Sequence, residues 1–147
     1  MSHARTQIRQ AVVDILKDNT IAGSSVFASR VYALNEPKLP AILVYTTPEN
    51  VVEQSISYPR TQHRELVVTI EIYIKGSSSI DDAIDALALE IEQLIAADPT
   101  LGIGAKDTTL DTTDIKHSDE GEKPIAIATL NYAVSYTVKE HQPQLLI

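Results

Sequence analysis

His117, Asp119, Glu120 and Glu122 crowd into one short stretch, with Asp107, Asp111 and Asp114 just upstream. An imidazole and carboxylates at close quarters are the groups that ligate divalent metals or pass protons. The spacing argues against both. In an extended strand Asp107 and Asp111 share a face while Asp114 points to the other, so the three converge on one ion only across a bulge. A calcium loop needs alternating oxygen ligands, a central Gly and a distal Glu, and this stretch does not match that order. The plainer reading is a hairpin tip at 118–123, turned by Gly121 and polar residues and kept solvated by its charges. His63, like His117, has no histidine partner at ligand spacing, and His3 and His141 stand in terminal segments.

Residue types remove other chemistries. The chain has no cysteine, which excludes disulfides, thiolate metal sites and cysteine nucleophiles together. The stretch GIGAKD, 102–107, superficially resembles a phosphate-cradling loop, but it follows a predicted helix and lacks the GK[ST] ending. There is no G-x-S-x-G elbow, and Ser77, Ser78 and Ser79 fit a loop and helix cap better than a hydrolase site. The expectation is a protein without catalytic residues, cofactor or metal.

Twelve basic residues against twenty acidic ones leave a net charge of −8. That balance opposes affinity built on neutralising phosphates, so sequence-specific nucleic-acid binding is not expected. An acidic wall past which DNA slides remains compatible with it. The 147 residues suit one domain, long enough to bury roughly 68–70% of the unfolded surface. No signal-peptide core and no apolar run long enough to span a membrane is present, which fits synthesis in cytoplasm.

The elements that would position any site follow from periodicity. Ile8, Val12, Ile15 and Leu16 mark one face of a helix over 4–17. Residues 26–34 predict a short strand, and AILVYT, 41–46, a central strand apolar on both faces, entered through Pro40. Residues 47–62 carry Pro48 and Pro59 without a strong period, and read as a long loop or extended arm. HRELVVTIEIYIKG then alternates, with Leu66, Val68, Ile70, Ile72 and Ile74 toward a core. A second helix follows Ser78 or Ser79, with stripe Ile80, Ile84, Leu87, Ala88, Ile91, Leu94 and Ile95, Leu89 on its far side, and a stop at Asp98-Pro99. A hairpin completes the pattern, TTLDTTDIKH out and PIAIATLNYAVSYTVK back, before a tail at 139–147.

The order α-β-β-(arm)-β-α-β-β implies an α+β fold in one domain, 1–147, with two helices packed on a mostly antiparallel sheet. Its unusual parts are the proline-bounded arm with Tyr58 and Arg60, residue types favoured at interface hot spots, and the apolar Leu145-Leu146-Ile147 end. That end either packs on its own domain or needs an outside cover.

Taken together, SRVYAL, LPAILVYT, RELVVTIEIYIKG, DALALEIEQLIAADPTLG and GEKPIAIATLNYAVSYTV resemble the minor tail protein U-like tail terminators of long-tailed phages and prophages, over roughly 4–138. The resemblance implies a virion protein of the tail, assembled in the bacterial host cytoplasm, whose copies form a ring, typically six-fold. Such a ring caps the tail tube and offers a surface to the head. The implied partners are the protein itself, a tail-tube protein and a head-tail connector protein, with DNA passing through the ring and no membrane contact. It also implies interface roles for Glu49, Tyr58, Arg60 and Arg64 in or beside the arm. The same holds for Asp119, Glu120, Glu122 and Lys123 at the hairpin tip, while Leu145 and Leu146, in a tail beyond the resemblance, are interface candidates on their apolar character alone. Within the same class the alternative is another neck or head-completion ring protein. From a different class, it is a small acidic ligand-binding or regulatory domain, against which the leading helix speaks, since ferredoxin-like domains begin with a strand. An enzyme ranks third.

Overall fold

The computed structural model describes residues 1–28, 39–76, 79–118 and 124–147. Its elements are α1 (Ala4–Leu16), β1 (Val26–Phe27), β2 (Ala41–Glu53), β3 (Thr61–Lys75), α2 (Ile80–Ala96), β4 (Asp107–Ser118) and β5 (Ile125–Lys139). The strands form one sheet in the order β1-β2-β3-β5-β4, antiparallel except for the β1–β2 pair. Of the strand expected over 26–34, only β1 falls within the described residues.

β3 shows how the pattern becomes a layer. Leu66, Val68, Ile70 and Ile72 are at most 1% exposed, and each stands opposite an inward residue of β5, such as Leu66 against Val134 and Ile70 against Leu130. Both helices lie on this side: Ile8, Val12 and Leu16 of α1 and Ile84, Leu87, Ile91 and Ile95 of α2 complete the apolar cluster. Burying some thirty side chains of this kind, at roughly 1.5–3 kcal/mol for each large one, is the main stabilising term. Leu89 faces solvent, as its helical phase requires.

The opposite face is polar but structured. Asn131 bridges three strands there, accepting from Thr69 Oγ1 at 2.8 Å and donating Nδ2 to Thr112 Oγ1 at 2.9 Å. Glu71 accepts from Tyr73 Oη at 2.7 Å and from Tyr45. Burial and the Glu71 carboxylate push the Tyr73 phenol up to about 12.

The structure refines or corrects several sequence expectations. Of the two forms expected for residues 47–62, a long loop or an extended arm, the structure shows the arm, built largely as paired strand: the β2–β3 ladder resumes after an irregularity at Thr47-Pro48 and continues from Glu49↔Leu66 to Glu53↔Gln62. Pro48 cannot donate to a ladder, so it sits where pairing is interrupted, and that interruption hid the strand's period. Ser79 precedes α2 but its hydroxyl makes no capping bond, while Ser78 lies outside the described residues. The inserted residue Asp111 breaks the β4–β5 register between Leu110 and Thr112, which brings Asp107 and Asp114 onto one face instead of opposite ones. Among the described residues no three His, Cys, Asp or Glu side chains group closely enough to hold a metal ion. GIGAKD is the exit from α2, where Gly102 at φ +70° and Gly104 at φ +90° take backbone conformations that side chains resist.

Candidate functional site

At the distal end of the sheet the alternating phase persists but its chemistry changes. Beyond Leu66, the next helix-facing positions of β3 are Arg64 and Gln62, and their cross-strand partners on β2 include Val51 and Glu53. Only the first turn of α1 reaches this region, and polar and charged side chains take most of these positions, Val51 standing half-exposed among them.

Glu49 is the hub. Its side chain is 8% exposed, and its Oε1 accepts from Arg5 Nη1 at 2.9 Å and from Arg64 Nη1 at 3.2 Å. Its Oε2 accepts from the hydroxyl of fully buried Tyr136. Arg64 also donates Nη2 to Gln62 Oε1 at 2.7 Å, while its Nε is buried without a partner. A buried carboxylate is tolerated when cations and donors surround it, and removal of one partner leaves the other charge uncompensated. Burial and the neighbouring carboxylate push the Tyr136 phenol far above its ordinary range, which keeps the hydroxyl a donor.

The cluster ties four parts of the chain together. His3 is the N-cap of α1, accepting from Arg5 N at its Nδ1 at 3.1 Å, and its other ring nitrogen lies 3.5 Å from Arg64 Nη1. Burial first, and then Arg5 and Arg64, hold the His3 imidazole below its ordinary pKa, against an opposing pull from Glu49. The tail folds back beside it: Ala4 N donates to Pro143 O at 3.0 Å, Gln7 Nε2 to Gln144 O at 2.8 Å, and Ile147 N to Thr137 O at 2.9 Å.

Above this latch the hairpin ends in exposed apolar side chains. Val52 is 59%, Ile56 95% and Tyr58 77% exposed. Arg60, at the base of the turn, pairs with Glu140 at 3.2 Å.

The ten sequence-derived interface residues therefore separate. Glu49 and Arg64 meet in the latch, where they hold the arm from inside. Tyr58 and Arg60 are surface groups of the arm. Leu146 packs on the apolar cluster and Leu145 is 36% exposed, so the tail is covered in part by its own domain. Asp119, Glu120, Glu122 and Lys123 lie outside the described residues. Sequence reading missed His3, Arg5, Tyr136, Val52 and Ile56. Tyr136 left one trace: it occupies the inward phase of β5, where a buried phenol needs a partner. His117, weighed above as a ligand, pairs with Asp81 at 3.2 Å at the other end of the sheet.

Comparison with known proteins adds the following. The family model described as phage minor tail protein U matches residues 3–136. A solved chain from the "Virion of native gene transfer agent (GTA) particle" is similar at 12% identity, covering 91% of this chain and 99% of that one, with a TM-score of 0.42. A search of curated proteins gives no match.

Proposed function

Because the chain belongs to the phage minor tail protein U family, we propose that this structural tail protein acts as a tail terminator, its copies closing into a ring on the end of the tail tube. The family match over residues 3–136 carries the reading. In it the ring is six-fold, one face binds the tail-tube protein, and the other meets the head-tail connector.

The physical features agree with such a role. A net charge of −8 disfavours a grip on phosphate, as a ring that lets DNA pass requires. No helix among the described residues is long and apolar enough to cross a membrane. The arm presents apolar side chains outward on a base held by a buried ionic cluster, an arrangement that resists rearrangement on contact.

Native mass spectrometry across a concentration series, with negative-stain imaging of the largest species, tests self-association. A closed ring is the expected species. Pull-down on purified tail tubes tests the second half of the reading. Rings that ignore tubes but bind isolated connectors would move the protein to another position in the neck. Absence of rings both free and on tubes would overturn the proposal.

A further inference from the structure

The edge strand β4 is covered by α2 only in part: Thr108 is buried and His117 pairs with Asp81, but the positions between them are open. On the helix-facing side of β4, Leu110 is 38% and Ile115 41% exposed, although their partners Tyr132 and Ala128 on β5 are buried. Between α2 and this edge strand lies an open cleft of about 170 Å³, lined by Glu92, Ile95, Ala96, Thr108, Leu110 and Tyr132. Ile95, Ala96, Leu110 and Tyr132 give it an apolar lining beside the polar Glu92 and Thr108, with room for one large side chain.

The same chain carries a side chain of that kind with nothing around it. Ile56 is 95% exposed at the end of the arm, flanked by Val52 and Tyr58. It cannot fill its own cleft. The arm turns beyond Thr61, whereas the cleft lies level with Tyr132 and its partner Val68. Thr61 to Val68 along an extended strand is roughly 23 Å at about 3.3 Å per residue, and the hairpin runs the other way. A knob and a hole on separate faces of one subunit make a head-to-tail contact, the interface type that closes rings.

Charge favours the same pairing. α2 carries Asp81, Asp82, Asp85, Glu90 and Glu92 without a Lys or Arg, and Glu92 stands at the cleft wall. The arm brings Arg60, paired with Glu140 in its own subunit and with its side chain 46% exposed, close behind Tyr58.

We propose that in the ring the arm of each subunit inserts Ile56 into the α2–β4 cleft of the next copy, with Arg60 set against the acidic surface of α2. The proposal rests on the ring reading and deepens it by naming the two surfaces that meet. Its occupant is a second copy of this chain, and a tail-tube protein at the arm is the competing outcome.

The absence of native cysteine permits an unambiguous test. Ile56→Cys and Leu110→Cys are made singly and together in the full chain, and oxidised under conditions in which the unmodified protein forms rings. The double variant should give a ladder of disulfide-linked multimers up to the ring size, while an equimolar mixture of the two single variants should stop at dimers. Ile56→Asp should weaken self-association at least tenfold while leaving the thermal unfolding midpoint within a few degrees of the parent.

Rings that form without any Ile56–Leu110 cross-link would overturn this inference and leave the ring reading standing. So would an Ile56→Asp variant that forms rings normally but loses tube binding, because the arm would then belong to the tube. No ring formation by the unmodified protein, free or on tubes, would overturn both.

Discussion

The two ends of β3 obey one geometric rule and are held by opposite chemistry. From Leu66 to Ile74 every second residue enters a hydrocarbon layer under two helices; from Gln62 to Arg64 the same phase enters a charged cluster served by only one helical turn. The difference follows from coverage. Where a helix lies on the sheet, water is excluded and apolar side chains are favoured. Past its end, a sheet extension keeps its inward face either by exposing hydrocarbon or by pairing charges. This protein pairs charges at the base of its arm and exposes hydrocarbon at the tip.

Truncation at the hydrocarbon end should have the largest effect. Ile70→Ala removes a fully buried side chain from the centre of the layer and should cost about 4 kcal/mol, read from urea unfolding as a lower midpoint at unchanged slope. At the charged end, Glu49→Ala leaves Arg64 buried without its carboxylate and should cost about 3 kcal/mol, with part of the loss softened because Arg5 is half-exposed. A Glu49→Ala cost well under 1 kcal/mol would mean that the latch is solvated and that the contrast between the two ends is false.

Smaller changes sharpen the comparison. Tyr136→Phe should cost about 1–2 kcal/mol, since it removes one donor to Glu49 while keeping the ring in the core. In a double-mutant cycle with Glu49→Ala the two losses should add to less than their sum, as expected of groups in contact.

The charged end should also respond to pH where the hydrocarbon end does not. His3 has a folded-state pKa below the ordinary 6.5, so the unfolded chain binds its proton more readily. Its contribution is therefore fully present above about 6.5 and is lost as pH falls through that value toward the lower folded one. His3→Asn keeps a capping acceptor without the titration, and should flatten this part of the stability–pH curve measured by denaturant unfolding. An unchanged curve would remove His3 from the latch. Smallest of all, Ile56→Ser should shift monomer stability by no more than about 0.5 kcal/mol, because a side chain this exposed has little to lose on folding.

What could be read from the sequence divides along the same line. The inward stripe of β3 and the buried face of α2 were legible because burial of hydrocarbon repeats with the period of the backbone. The strand pairing of the arm was not, because Pro48 interrupts the ladder and the inward positions that follow are Glu49, Val51 and Glu53, which no hydrophobic pattern selects. Glu49 and Arg64 were both singled out as surface groups. Their meeting inside the protein depends on strand register and on the approach of Arg5 and Tyr136, relations between distant parts of the chain. His3 was invisible for a simpler reason: histidine is not among the usual capping residues, and its role is fixed by a backbone donor two positions on.

The register break at Asp111 bears on how the subunit behaves in a crowded cell. β4 is a twelve-residue edge with few buried side chains, the kind of border onto which further strands add without limit. One surplus residue near its middle bends the edge and places a carboxylate where a flat neighbour would have to pair. Removing Asp111 would leave every remaining cross-strand partner in place and restore an unbroken border. The surplus residue is thus one of several features that discourage edge-to-edge pairing, beside the exposed Asp107, Asp114 and Lys116 on the same strand.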